Sequence, residues 1–297
     1  MRTDRITIAV DAMGGDLAPQ AAVAGSLAAA RALPDLSVIL VGEETVIRAA
    51  LAALGDLPAN LSVHHASQVV DMCDAPSVAV RQKKDSSIAV GMRLVRDGLA
   101  QGCVSAGNSG AMMAAATLIV KLKPGVDRPA IAIPMPTKTG VTILLDAGAT
   151  TDCKPAHLVQ FAHLGTAYAA TLLETSVPRV GLLSIGEEPS KGDELTKETH
   201  QLLLTSPLNF VGNVEPKEII RGEVDVVVCD GFVGNLMLKA AEGFKEMIEA
   251  SMKEAILSGG LLTKLAGAIL RPALRAKMKK LDYTQYGGAL LLGVNGI

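Results

Sequence analysis

Short β-branched apolar runs alternate along the chain with longer Ala- and Leu-rich segments. The short runs predict strands at ITIAVD (6–11), SVILVG (37–42), LSVHHA (61–66), GVTILLD (140–146), RVGLLSI (179–185) and VDVVVCD (224–230). The longer segments predict helices at 20–32, 43–54, 86–101, 109–121, 154–174, 192–205 and 234–257. Apolar strands that do not alternate with polar residues are buried on both faces. Strands alternating with helices then imply a largely parallel sheet between helical layers. No low-complexity linker interrupts the pattern, so a single α/β domain over residues 1–297 is expected.

Several of these strands open into the same kind of loop. ITIAVD runs into AMGGD, Cys103 and Val104 into SAGNSGA, TILLD into AGAT, GLLSI into GEEPSKGDE, and VVVCD into GFVGN. In open α/β sheets, ligands bind beyond the carboxyl ends of the strands. Gly is also the default turn residue, so one such loop means little, whereas five with polar companions suggest a phosphate-handling cleft. In CVSAGNSGAMMAAATL (103–118), Ser105, Asn108 and Ser109 stand where a strand hands over to a helix and can cap its first N–H groups. Gly107 and Gly110 would let a ligand reach the backbone. A turn of this kind favours an anion.

Composition narrows the classes. The chain is 49% hydrophobic with a mean hydropathy of +0.35, enough to bury a large core. Aromatics make up only 2%, with no Trp, which argues against stacking of nucleobases. A net charge of −2 sets up no global field for a polyanion or a membrane. Cys73, Cys103, Cys153 and Cys229 are widely spaced and form no CxxC pair, so reduced thiols are expected and neither a metal site nor a disulfide scaffold. The N-terminus enters a strand almost at once, without a signal-peptide pattern. No apolar run approaches the roughly 18 residues that span a bilayer. These features predict a cytoplasmic protein.

Known fingerprints are absent: neither GxGxxG, GxxxxGK[ST], GxSxG nor HExxH occurs. His64, His65, His157, His163 and His200 fall mostly within predicted elements, so no histidine is indicated as a general base. Asp11, Asp16, Asp146 and Asp230 at strand ends suit turn capping or the positioning of a lysine. Arg81, Lys83 and Lys84 form a cationic cluster, read either as a solvated face or as a phosphate or carrier contact. From Ala255 to Leu281 there is no acidic residue, while Lys264, Arg271, Arg275, Lys277, Lys279 and Lys280 are basic. Leu257, Leu261, Leu265 and Ile269 recur at helical spacing, and Pro272 is expected to break or kink the segment into two helices. Membrane-interface binding, carrier docking and a dimer interface all fit such a stripe.

These stretches, in this order, resemble the phosphate acyltransferase family. The resemblance rests on IAVDAMGGDLAP (8–19), VRQKKDSSIAVGMRLV (80–95), CVSAGNSGAMMAA (103–115), CKPAHLVQFAHLGTAYA (153–169), GLLSIGEEPSKGDELTKE (181–198), VDVVVCDGFVGNLMLKAAEG (224–243) and DYTQYGGALLLGVNG (282–296). It implies a three-layer α/β/α fold with a largely parallel sheet, related to phosphotransacetylase and isocitrate/isopropylmalate dehydrogenase-like folds, with a protruding basic helical pair over 245–281. It implies transfer of a long-chain fatty acyl group from acyl carrier protein to inorganic phosphate, for phospholipid synthesis, without cofactor or metal. A loop lysine such as Lys191 is ordinarily solvated, and Asn235 reads equally as an N-cap. The resemblance carries catalytic roles onto both.

The phosphate would then be held by Gly14, Gly15, Ser105, Asn108, Ser109, Gly110 and Gly234. Leu261, Lys264, Leu265, Arg271, Arg275 and Lys277 would meet carrier protein or an anionic membrane surface. A homodimer, a peripheral membrane location and a downstream glycerol-3-phosphate acyltransferase are implied as well, and no nucleic acid. Leu17, Ser109, Thr150, Pro216 and Leu290 depart from the family's usual His, Thr, Asn, Gly and Pro. The family is expected to continue past Ile297 with a strand, a loop and a helix. A short-chain phosphotransacetylase using acetyl-CoA, a non-catalytic membrane-associated scaffold and, more distantly, a decarboxylating dehydrogenase are the rival readings.

Overall fold

A computed structural model describes residues 5–280 and 287–297, with side chains described except at 276–280. The chain divides into two compact units, 1–129 with 293–297, and 130–292. No linker marks this division: the first boundary passes between Pro129 and Ala130, at the start of a strand.

The first unit carries a four-stranded sheet of β1 (Ile6–Asp11), β2 (Leu36–Gly42), β3 (Leu61–His65) and β4 (Gly102–Val104). The order is β3-β2-β1-β4 and all pairs are parallel. Helices α1 (Gln20–Ala32) and α2 (Glu44–Ala52) cover one face, where Val23, Ile47 and Leu51 bury against Val10, Ala12 and Leu40. Helix α3 (Pro76–Gln82) packs on α5 (Ser109–Ala115), which a π-helical turn extends to Val120. Helix α4 (Ser87–Arg96) covers the opposite face, with Gly91 brought against the Cys103 thiol. The segment 293–297 returns to this unit: Lys123 donates to Gly293, Asn295 to Lys121, and Cys103 to the Ile297 carbonyl.

The second unit holds a mixed six-stranded sheet, in the order β10-β5-β6-β9-β7-β8. Its strands are β5 (Ala130–Pro136), β6 (Val141–Leu145), β7 (Val180–Leu183), β8 (Phe210–Val214), β9 (Val226–Val228) and β10 (Leu290–Leu292). The pairs β6–β9, β9–β7 and β7–β8 are parallel, and β5 runs antiparallel to both β6 and β10. Helices α6 (Pro155–Leu172) and α7 (Glu194–Leu204) bury Leu158, Phe161, Ala162 and Leu203 against Ile143, Leu145, Val180 and Val226. On the other face Ile219 of α8 (Pro216–Arg221) and Met237 and Leu238 of α9 (Gly231–Ser258) pack on Leu144, Val214 and Val227. Both units are therefore three-layered, as the apolar pattern implied.

Pro272, expected to break or kink the basic segment, does not break it: the interruption falls at Gly259 and Gly260, and one helix, α10 (Leu261–Lys280), runs through the proline. Proline removes a single N–H, and its ring crowds one carbonyl a turn earlier. Before the proline, α10 packs against α9, where a side chain at Gly267 would overlap Ile256. Beyond Leu238 most of α9 is exposed, as is most of α10 up to Arg275.

Candidate active site

The five glycine-rich loops do not share one sheet. Two leave β1 and β4 in the first unit, and three leave β6, β9 and β7 in the second. Within each sheet the strands concerned are parallel neighbours. Val10 pairs with Val104 in the first unit, and Leu145 and Leu182 both pair with Val228 in the second.

In the first unit the rim is devoted to joining loops. The Asp11 carboxylate, 2% exposed, accepts from the Ser105 hydroxyl (2.7 Å) and from Met13 N (3.0 Å). The Ser105 oxygen in turn accepts from Gly107 N at 3.0 Å. A side chain at Gly14 would overlap the Asp11 carboxylate, and one at Gly107 would press on the Gly14 Cα. Asn108 caps α5 through Ala111 N (3.0 Å), while its amide nitrogen reaches the carbonyls of Asp71, Met72 and Asp74. Gly110 lets Pro76 of α3 approach, since a Cβ there would lie 2.6 Å from its ring. Gly107 and Gly110 thus admit neighbouring chain rather than a ligand, and the Asn108 side chain is committed. Ser109 is exposed, and its hydroxyl makes no hydrogen bond among the described residues.

Within the cationic cluster, Lys83 is likewise spent on structure, while Arg81 and Lys84 are exposed. Lys83 bonds the Val69 carbonyl and the carboxylates of Asp71 and Asp74, at 2.6 Å for Asp74. Its hydrogen bond holds the Asp74 carboxyl below the ordinary carboxylate range. Beside these loops α1 leaves part of its sheet face uncovered. A groove of about 640 Å³ there is lined mainly by apolar residues, among them Ile8, Val10, Val38, Val104 and Ala22, with Asp11 and Asp16 at its polar end.

In the second unit one buried carboxylate organises the rim. Asp146, 0% exposed, accepts from Ile131 N (2.9 Å), Gly148 N (3.1 Å), Ala149 N (2.9 Å) and Thr150 N (2.6 Å). Burial pushes its carboxyl above the ordinary value, against the pull of these four donors. The loop so gathered receives the next one, because Gly231 N donates to the Thr150 carbonyl at 2.8 Å. Gly234 is required there, since a side chain would overlap the Asp146 carbonyl. Its role is the close approach of α9 to the Ala147–Thr150 turn.

Asp230, not Asn235, caps α9, accepting from Phe232 N (2.8 Å) and Val233 N (3.1 Å). The N-cap alternative for Asn235 is therefore overturned: the helix begins a turn earlier than the apolar pattern indicates. Asn235 sits in the second turn, exposed and facing Gly148, where a Cβ would lie 3.6 Å from its side-chain carbons. Its amide has no partner among the described residues.

Lys191 lies on the loop between β7 and α7. The segment Glu188-Pro189-Ser190-Lys191 is a turn closed by Lys191 N donating to the Glu188 carbonyl at 3.0 Å, with Pro189 in the position proline prefers. The lysine stem crosses Gly186, where a Cβ would stand 2.9 Å from its Cγ. The ammonium is exposed and has no ion-pair or hydrogen-bond partner among the described residues. Asp193 ends the loop by capping α7 through Thr196 N (2.8 Å). Asn213 on β8 ties the loop down, donating to the Glu188 carbonyl at 2.9 Å.

Three of the thiols are poor nucleophiles. Burial pushes both Cys103 and Cys153 up to about 12 and raises Cys229 as well. His157 accepts from Lys154 N and secures the start of α6, and His200 is buried beneath the Lys191 loop's anchor. The turn-capping role expected of Asp146 is the one it plays, whereas sequence reasoning missed the His200–Asn213 contact, which nothing local marks.

On the helical hairpin, Leu261 (77% exposed), Leu265 and Ile269 (79%) stand in solvent beside Lys264, Arg271 and Arg275. The Lys277 side chain lies outside the described residues. No described helix is long and apolar enough to cross a membrane.

Layered α/β units with parallel strands ending in such loops define a phosphotransacetylase-like class of fold. A phosphotransacetylase structure from Streptococcus pyogenes superposes with a TM-score of 0.61 at 19% identity, over 82% of each chain. EutD phosphotransacetylase from Staphylococcus aureus gives 0.57 at 19% identity, over 81% of this chain and 82% of its own. At that identity the likeness concerns the fold. The family model described as "Fatty acid synthesis protein" matches residues 6–297. The phosphate acyltransferase of Syntrophotalea carbinolica is 50% identical over 293 residues, covering 99% of this chain and 84% of that protein. That of Geobacter sulfurreducens is 50% identical over 290 residues, covering 98% and 83%. The chain belongs to the phosphate acyltransferase family and is an acyltransferase.

Proposed function

We propose that the protein transfers a long-chain fatty acyl group from acyl carrier protein to inorganic phosphate, supplying acyl phosphate for phospholipid synthesis. The supporting observation is a contrast in commitment. Around the second unit's loops the carboxylates are consumed by backbone donors, whereas the Lys191 ammonium and the Asn235 amide face solvent without partners among the described residues. A phosphate dianion needs no general base to attack a thioester. Lys191 neutralises it and aligns it, and alignment alone is worth about 7–11 kcal/mol. The Asn235 amide donates to the tetrahedral oxyanion, a contribution of about 3–4 kcal/mol. The C–S bond breaks, the phosphate proton passes to the departing sulfur, and acyl phosphate and free thiol result. Of the residues expected to bind phosphate, Gly110 and Gly234 shape their loops against neighbouring chain, and Gly14, Gly15, Ser105, Asn108 and Ser109 lie on the rim of the first unit. Through side chains only Ser109 can take part without giving up a bond; the others act through backbone or loop shape.

The exposed stripe on α10 favours a carrier-borne donor over acetyl-CoA. Its cations suit the acidic surface of a carrier protein, and its leucines suit a membrane interface or a second copy of the chain. Peripheral membrane association, a homodimer and hand-over to a glycerol-3-phosphate acyltransferase complete the reading. The test is phosphate-dependent release of carrier thiol from palmitoyl carrier protein, run beside acetyl-CoA. Preference for acetyl-CoA, or thiol release independent of phosphate, refutes it. Leu261→Glu is expected to abolish liposome flotation, and unchanged flotation removes the membrane component.

A further inference from the structure

We infer that His200 and Asn213, buried and remote in sequence from the loop they serve, are positioning residues for Lys191. The inference rests on the proposed role of that lysine. Asn213 is 5% exposed on β8 and His200 is 3% exposed on α7. Asn213 Nδ2 donates to the Glu188 carbonyl at 2.9 Å, so its Oδ1 is the atom that faces His200 Nδ1, also at 2.9 Å. An amide oxygen only accepts, so Nδ1 must carry the proton. The Phe210 ring, edge-on at 5.2 Å, limits rotation of the imidazole. The chain of bonds therefore has one direction, from His200 to Asn213 to the Glu188 carbonyl.

That carbonyl is also the acceptor that closes the Glu188–Lys191 turn. Pro189 presets the shape of the turn, but a turn's shape does not orient it on the sheet. Asn213 does, because it is the side chain that pins the first carbonyl of the turn to β8. The backbone of the loop is tied again at Ser184 N, which donates to Val214 at 2.9 Å. Neither His200 nor Asn213 touches the lysine side chain. They set where its stem begins, and Gly186 then sets the path of that stem. A displacement of about 1 Å in a reacting group can cost on the order of 100-fold in rate.

Steady-state assays of the full chain with acyl carrier protein and phosphate test the inference. Asn213→Leu is expected to lower kcat on the order of 10- to 100-fold with the KM for acyl donor little changed. In a Lys191→Met background the same substitution is expected to cause no further loss. His200→Asn, whose amide N–H can stand where Nδ1–H stood, is expected to retain most activity that His200→Phe loses, and this pair decides the matter if Asn213→Leu does not fold. An Asn213→Leu loss that persists undiminished in the Lys191→Met protein, or equal activity in His200→Asn and His200→Phe, overturns the positioning role. If Lys191→Met itself is fully active, it is the reading of the lysine that fails instead.

Discussion

The two units solve the same local problem with opposite outcomes. Each must end parallel strands in tight loops, and each places a buried aspartate at a strand end to do so. Asp11 spends its carboxylate on one hydroxyl and one N–H, and its neighbours Ser105 and Asn108 are used up as well. Asp146 takes four backbone donors alone. Because one carboxylate satisfies the whole turn, no further side chain is needed there, and Asn235 is left uncommitted above it. A polar residue at a strand end is thus available for chemistry only where another group has already met the demands of the backbone.

The largest effect should come from removing that group. A buried donor left without a partner costs about 1–3 kcal/mol. Asp146→Ala orphans four, of which those of Ala149 and Thr150 are buried, so a loss of about 2–6 kcal/mol is expected in urea unfolding. Asp11→Ala, with two donors released, should lose about half as much. Equal losses would erase the distinction between the two rims.

Next in size is a separation of stability from activity. Asn235→Ala and Lys191→Ala should each reduce turnover about 10²- to 10³-fold, equivalent to about 3–4 kcal/mol, as removal of an oriented donor does elsewhere. Their unfolding midpoints should move little, since neither side chain has a hydrogen-bond or ion-pair partner to lose among the described residues. A drop in midpoint matching the drop in rate would show that both residues are structural.

Much of this layout was legible in the sequence. Strand β1 and helix α1 match their predicted bounds, and most other predicted elements differ by one to three residues. Strand β5 was hidden by Pro134 and Pro136. They share one edge of the strand, along the stretch where β10 no longer pairs, so their missing N–H groups break no ladder bond. Strand β8 was masked by Gly212, at φ +106 and beside a register shift. The glycine loops were visible, but not what they accommodate. Whether a missing Cβ at Gly14, Gly110 or Gly234 admits a ligand or a neighbouring loop depends on tertiary approach, which no spacing encodes. The His200–Asn213 contact joins a helix to a strand through side chains alone and leaves no periodic trace.

A smaller effect marks the first unit. Ser105→Ala removes the hydroxyl that bridges Asp11 to Gly107 N and should cost about 1–2 kcal/mol in the same unfolding experiment. Turnover per folded molecule should fall much less than in Asn235→Ala. A larger fall in turnover than in stability would move Ser105 into the reaction.

The smallest effect distinguishes two helix caps. Helix α5 is capped by Asn108, which does not titrate, and α7 by Asp193, which does. The Thr196 N–H holds the Asp193 carboxyl below its ordinary value of 3.8. A carboxylate lowered in the folded state adds stability that is full above the unfolded value and fades as pH falls through the folded one. Asp193→Ala should cost about 1 kcal/mol at pH 7, and Asn108→Ala more, because its amide also gives up the carbonyls of Asp71, Met72 and Asp74. Below pH 3.8 the parent should lose stability relative to Asp193→Asn, whose cap stays neutral and intact, while above pH 5 the two should run parallel. Parent and Asn108→Ser should keep a constant separation across the whole range. A gap between parent and Asp193→Asn that ignores pH would mean the α7 cap is held by geometry and not by charge.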